Sequence, residues 1–582
     1  MFKMRMFDNR CILVLCGLIA ATASCDGLGG NGGGAGAGGT GGTGGTGNSG
    51  EYCTNTPPGY DPSLGKDVPA DNLEVQPRYF SDVTLAAGCI HRFTNGFAVE
   101  GGAKVTIEPG AIIEVGGGKA GNDIWVNEGA LIADGTAAAP IEFRPASAAG
   151  FGGLRLNHTA TMSLRHAHIH DVTIHSSLNE DAPCLTITGS KGEAPKGIVI
   201  EDSTFERCAK AGMLFGSELA DELTADEVAA MYSSFTRNKI VDSKYGMMVL
   251  TESLIAGIKE MPALSGVTAN VLDLILLRDL DFTLLDAGVP WWGKGITLLN
   301  PQAKLHFAPG VVFEVHDIYS GPPTFNIFGD GEIYLEGTAD KPIVLTVGPQ
   351  LFAEPGLVSA VKATFRHVRF NGLPKLELGP GSVVENVINE NCLGSEKTAY
   401  QIYGDDVVFA NNTIRNCTTG IKAKQDLVAR VGGGNVYENV ESNRIEFSSK
   451  FVGTSTWAGQ SVPWDHDDIR IEGTLTLEPG VHIRGLFPMS GSEISLFNGA
   501  KLIAQGTAQQ PVRFDSIGTG PGAWSGILLV GASSVDLTHV DLSEANNGVD
   551  TDGSPITITN STFHDNVTDV YESCGKATVT NS

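Results

Sequence analysis

The chain has 582 residues, 42% hydrophobic and 7% aromatic, with 75 glycines and a formal charge of −27. Such acidity disfavours nucleic acid, anionic membrane surfaces and, without a bridging cation, acidic polysaccharides. Away from the N-terminus, no stretch is apolar enough to cross a bilayer.

Residues 1–24 read as a targeting segment. Lys3, Arg5 and Arg10 precede an apolar run from Cys11 to Ala23 that is too short to span a membrane. Thr22-Ala23-Ser24-Cys25 resembles a bacterial lipobox, which implies cleavage before Cys25 and lipidation of that cysteine. The pattern prefers Leu where Thr22 stands, so an ordinary secretory signal is the alternative. Residues 27–50 contain 15 glycines among 24 positions and read as a flexible tether with a reach of roughly 27 Å. The predicted location is export with anchoring at the outer membrane or cell surface.

Residues 51–100 are expected to cap the first coil of a repeat array. A block of about 40 residues then occurs three times. Its copies begin at Val105-Thr106-Ile107-Glu108-Pro109-Gly110, Leu305-His306-Phe307-Ala308-Pro309-Gly310 and Leu475-Thr476-Leu477-Glu478-Pro479-Gly480. Each copy later carries a Gly-Thr-Ala-x-x-Pro turn, and the glycines of the two motifs are 25, 27 and 26 residues apart. Within a copy the apolar residues alternate, as half-buried strands require. In copy one these are Val105 and Ile107, then Ala111, Ile113 and Val115. A self-similar unit of this kind means stacked coils. Superrepeats are expected over 101–300, 301–470 and 471–582. The last two open on Val289-Pro290-Trp291 and Val462-Pro463-Trp464. Within the first of these spans, Ser217 to Met231 breaks the strand pattern. Thr224 and Glu227 form a capping box, predicting a short inserted helix with Leu219, Leu223 and Val228 on one face.

A second unit follows each block. Leu164-Arg165-His166-Ala167-His168-Ile169 aligns with segments beginning at Phe365 and Leu537. Ile198 to Phe205 aligns with Val407 to Ile414 and Ile556 to Phe563. Short strands separated by Asn-rich turns resemble the parallel β-helix repeat of pectate-lyase-like proteins. The resemblance implies an all-β, right-handed parallel β-helix over roughly residues 75–582. With some 22–25 residues per coil, about 20 coils and a rod near 100 Å are expected.

Cys184 and Cys208 are 24 residues apart and Cys392 and Cys417 are 25 apart, about one coil in each case, so each pair is placed to bridge neighbouring coils. Cys53 and Cys89 are a third candidate pair, and Cys574 is left over.

Three clusters could carry chemistry. His166, His168 and His170 alternate, which on one strand puts all three on one face as candidate metal ligands beside His158, Asp171 and His175. The counterparts of His166 are His367 and His539, which favours a repeated structural role there. Gly404-Asp405-Asp406 matches an element whose carboxylates do acid/base work in polygalacturonases, which share the fold. The flanking polygalacturonase motifs are missing, and a turn explains the residues equally. Asn547 to Gly553 looks calcium-like but sits in a repeat turn. Trp291, Trp292, Trp457 and Trp464 suggest packing at the superrepeat junctions. No cofactor is predicted. The reading is a non-catalytic, surface-anchored scaffold for adhesion or for binding glycan or an envelope protein, held to the membrane by lipid on Cys25. The alternative is a polysaccharide lyase or glycoside hydrolase.

Overall fold

The structure is a computed structural model. It describes residues 51–580 apart from 55, 62–65, 69–75, 117–121, 148–149, 176–179, 217–222, 273–274, 278–279, 294–295, 299–300, 317–326, 330, 349–357, 361, 374, 395, 447–450, 487–491 and 573–577. The targeting segment, Cys25, the tether, Leu219 and Cys574 lie outside the described residues.

Residues from Gly50 onward form one compact unit, a parallel β-helix. Each regular coil contributes three short strands. In copy one these are Lys104–Ile107, Ile112–Val115 and Ile124–Asn127. Each pairs in parallel with its equivalents one coil below and one coil above, as Val105 does with Val83 and Leu131. The alternation seen in the sequence is the burial pattern. Val105, Ile107, Ala111, Ile113 and Val115 are buried, as are Leu305, Phe307, Val311 and Phe313, and Leu475, Leu477, Val481 and Ile483. One apolar core runs from Tyr79 to Ile558. At the turn between the first two strands, Gly110, Gly310 and Gly480 have φ of 83°, 93° and 80°, a conformation that glycine adopts without a Cβ clash.

Coil length varies more widely than the expected 22–25 residues. Arg366 and Glu385 are in register only 19 residues apart, whereas Arg165 and Glu201 are 36 apart. The strands stay short and nearly constant, and the corners absorb the difference. Buried corner side chains carry part of the load. Asn238 Oδ1 accepts from Ser203 N at 3.2 Å, and its Nδ2 donates to Ile200 O at 2.8 Å. Asn412 does the same for Val387 N and Val384 O, at 3.0 and 2.9 Å.

The three superrepeats are not stacked in phase. The sheet formed by Ile124–Asn127, Leu154–Asn157 and their successors carries the third strand of each coil in copy one. It continues through Tyr245–Val249, Asn270–Leu272 and Trp291–Gly293 into Val312–Val315, which is the second strand of copy two. The same slip recurs at the next junction. The third-strand sheet of copy two, through Leu376–Leu378 and Thr398–Ile402, reaches Trp464–His466 and then His482–Gly485, the second strand of copy three. Each superrepeat is therefore rotated by one face of the three-sided coil relative to the one before. The matched Trp291 and Trp464 sit one coil below these second strands, 0% and 1% exposed, and fill the junction interiors as the sequence suggested. Trp457 and Trp524 are also buried.

At the N-terminal end an antiparallel pair, Gly59–Asp61 with Lys66–Val68, adjoins the edge strand Arg78–Tyr79. This covers backbone groups that would otherwise be open for pairing. The described part of the helix is Ala225–Met231. Thr224 and Glu227 form the anticipated capping box, and Leu223 is buried. Three disulfides form between the expected partners, Cys53–Cys89, Cys184–Cys208 and Cys392–Cys417. Such bonds persist in an oxidising, extracytoplasmic compartment. Among the described residues no helix is long and apolar enough to cross a membrane.

Candidate functional site

The histidine cluster divides. His166 is not on the strand with its neighbours. It occupies the corner between Thr161–Arg165 and Ala167–His170 with φ of 44°, and His367 and His539 take the same left-handed position at 49° and 50°. The single stripe of three histidines is thereby corrected to two. A left-handed residue ends the alternation on which the stripe depended. His166 instead adjoins the corner pair of Asp202 and Arg237, whose side chains meet at 2.7 Å.

His168 and His170 do share an outward face, with ring centres 4.5 Å apart. Both are committed to carboxylates. His168 Nε2 lies 2.8 Å from Glu206, and His170 bridges Glu142 at 2.8 Å and Asp171 at 2.6 Å. Burial works against a charged His170 ring, yet hydrogen bonds to Glu142 and Asp171 raise its pKa above the ordinary value. Burial, followed by the neighbouring His170, lowers that of His168. The carboxylates continue into arginines. Arg207 meets Asp171 and Glu206, Arg144 meets Glu142 and Glu114, and Arg92 meets Glu114. The result is an alternating ion ladder over five successive coils. Its chemistry is to neutralise each charge with the next and clamp the coils together.

The Gly-Asp-Asp element is a turn. Asp405 and Asp406 are exposed between Thr398–Ile402 and Val408–Ala410, and Asp406 Oδ1 accepts the backbone N–H of Gly381 in the turn one coil below. Asn547 to Gly553 belongs to the strand Ala545–Thr551 and its following turn, where Asp552 accepts from Gly531 N at 3.0 Å. Among the described residues one group of three metal-type ligand atoms converges, that of Cys53, Cys89 and His91. Its two sulfurs are bonded to each other, so they are not thiolate ligands.

An open polar cleft of about 560 Å³ lies elsewhere, beside the second junction. Its walls are Glu396, Thr418, Thr419, Lys422, Arg444, Glu446 and Asp467. Lys422 and Arg444 stand in register on Thr413–Lys424 and Val436–Glu446, two long strands whose pairing shifts between Thr419 and Lys422. Lys422 pairs with Glu396, and Arg444 pairs with Asp467 at 3.1 Å. Glu446 accepts from Gln401 Nε2 at 2.9 Å. Tyr403, 41% exposed, is close enough to feel the charges of Glu446 and Glu396. Its hydroxyl is pushed up to about 12, first by burial and then by the charges of Glu377, Glu446 and Glu396. Sequence reasoning missed this site. A usable signal was present, because Glu396 and Lys422, and Arg444 and Asp467, are opposite charges 26 and 23 residues apart, about one coil.

No family model, curated protein or solved structure matches this chain. Its functional reading therefore rests on the coils themselves and on the cleft.

Directly beneath the same face is an unusual interior. His466 is completely buried, and both ring nitrogens lack hydrogen-bond partners among the described residues. Its ring meets Trp524 edge-on at 6.3 Å. Burial pushes its pKa down to about 3, so the ring is neutral.

Proposed function

We propose that this chain is an exported binding rod, a non-catalytic parallel β-helix lipoprotein held to the outer membrane or cell surface through Cys25. The glycine-rich segment after Cys25 would let the rod stand off the bilayer and present a long face to glycan or to an envelope protein. The observation that carries this reading is the way charge is used along the coils. Residues nominated for chemistry, among them His168, His170, Asp171 and Asp406, hold neighbouring coils or turns, whereas the cleft of Lys422 and Arg444 opens outward. Rigid elements that display hydrogen-bonding groups suit recognition. The lipobox-like Thr22-Ala23-Ser24-Cys25 supports the anchor, and the three disulfides support export.

The test has two arms. Expressed with its N-terminus in a lipoprotein-processing bacterium, the chain should incorporate labelled palmitate, and Cys25→Ser should abolish the label. The lipid-free chain from Asp26 should be retained by glycan or envelope-protein columns without forming new reducing ends or unsaturated uronate over days. Turnover would replace this reading by the polysaccharide-cleaving alternative.

A further inference from the structure

The cleft at the second junction differs from the rest of the charged surface in composition and in shape. Four successive coils deliver Glu396, then Lys422, then Arg444 with Glu446, then Asp467. Two cationic donors in the middle coils are thus flanked by carboxylate acceptors across one opening. Each carboxylate has more acceptor sites than its ion pair or hydrogen bonds use, and Lys and Arg carry spare N–H groups. The opening of about 560 Å³ falls inside the roughly 300–1,000 Å³ of small-ligand clefts. Three carboxylates face two cations there, and the whole chain is strongly acidic. An anionic ligand therefore meets net repulsion. A neutral polyhydroxylated ligand does not. Its hydroxyls donate to Glu and Asp and accept from Lys and Arg, and its C–H face can lie on an exposed ring.

Building on the binding-rod reading, we propose that this cleft is a subsite for a neutral oligosaccharide, with Lys422, Arg444, Glu396, Glu446 and Asp467 engaging its hydroxyls and the exposed Tyr403 ring flanking the sugar. The site has a plain structural origin. The strands Thr413–Lys424 and Val436–Glu446 run on past the usual strand length, and past the register shift between them two cations, Lys422 and Arg444, come side by side, which interrupts the alternation of charge.

The experiment uses the lipid-free full chain and calorimetric titration with three hexasaccharides: neutral maltohexaose or mannohexaose, acidic hexagalacturonate, and cationic fully deacetylated chitohexaose. The expected result is binding of a neutral hexasaccharide and no binding of the acidic one. Tyr403→Ala and Arg444→Gln should each weaken binding by at least about tenfold. Arg165→Gln, on the first-strand sheet of copy one and several coils away, should leave it unchanged. Circular dichroism and urea midpoints near those of the parent protein would certify that the variants fold. Neutral-glycan binding that Tyr403→Ala and Arg444→Gln leave intact overturns the subsite while the binding-rod reading stands. Preference for the acidic or the cationic sugar overturns the neutral class. Absence of binding to all three overturns the subsite, and retention on an envelope-protein column would then decide the rod reading separately. Cleavage of a neutral sugar that both cleft variants abolish supports the subsite and overturns the non-catalytic reading.

Discussion

The histidine face around His170 and the cleft around Arg444 are built from the same material, outward-facing charged residues on stacked parallel strands, and they end in different states. On the histidine face the coils are in regular register, so each charge meets an opposite one on its own coil or the next, from Arg92 through Glu114, Arg144, Glu142, His170 and Asp171 to Arg207. Around Arg444 two strands are overlong and their pairing slips between Thr419 and Lys422, so that Lys422 and Arg444 stand side by side and a cavity opens beside them. The interiors differ too. Apolar side chains such as Ile169 and Phe205 lie under the ladder, whereas a buried neutral His466 lies under the face that carries the cleft. In this solenoid, then, a charged face is a clamp where opposite charges fall in register and opens where like charges do, as Lys422 and Arg444 do.

The largest effects should come from breaking the junction that supports the cleft. Trp464→Ala should cost about 3–5 kcal/mol in urea unfolding and also abolish neutral-glycan binding. Trp291→Ala, the matched change at the other junction, should cost a similar amount and leave binding intact. Equal loss of binding in both would show that the cleft has no special dependence on its own junction.

Breaking covalent clamps sharpens the comparison next. Cys184–Cys208 lies beside the histidine ladder and Cys392–Cys417 lies near the cleft, closing loops of 24 and 25 residues. Loop length predicts nearly equal losses of about 3–4 kcal/mol for Cys184→Ala/Cys208→Ala and Cys392→Ala/Cys417→Ala, read from denaturant midpoints. A much smaller loss for one pair would mean that its region retains structure when the rest of the chain unfolds.

Acid should separate the two histidine environments. His466 has an ordinary pKa of 6.5 when unfolded and about 3 when folded, so below pH 6.5 the unfolded chain takes up a proton that the folded chain refuses. Its contribution is complete above pH 6.5 and declines as pH falls toward 3, by about 2 kcal/mol at pH 5. His170 has the opposite sign. Its raised pKa gives stability that is full below pH 6.5 and lost as pH rises through the folded value. Stability measured from pH 8 to 5 should flatten in His466→Leu and steepen toward acid loss in His170→Leu. An unchanged slope in His466→Leu would remove the buried ring from the account.

The smallest effect belongs to the turn. Asp406→Ala should change stability by no more than about 0.5 kcal/mol and leave glycan binding as it was, because the carboxylate only holds the Gly381 amide one coil below. A binding defect would extend the cleft to that corner.

Much of this molecule was legible in its sequence. The three Pro-Gly blocks and their alternating apolar residues determined the coil, since period-two burial and a glycine turn are local properties. One-coil spacing determined the disulfide partners, and Thr224 with Glu227 determined where the helix starts. The junction tryptophans were placed by the same alignment. Only the tertiary structure decided the rest. Repeat alignment says which strand of a coil a segment is, but the face it lands on depends on every strand inserted between repeats, and each junction shifts the count by one. Alternation put His166 beside His168 and His170, whereas a left-handed corner at φ 44° removed it. Glu396, Lys422, Arg444 and Asp467 are spread over 72 positions of sequence and become one cleft only because four coils stack and two of them slip. Spacing along a chain can propose such neighbours; register between coils makes them a site.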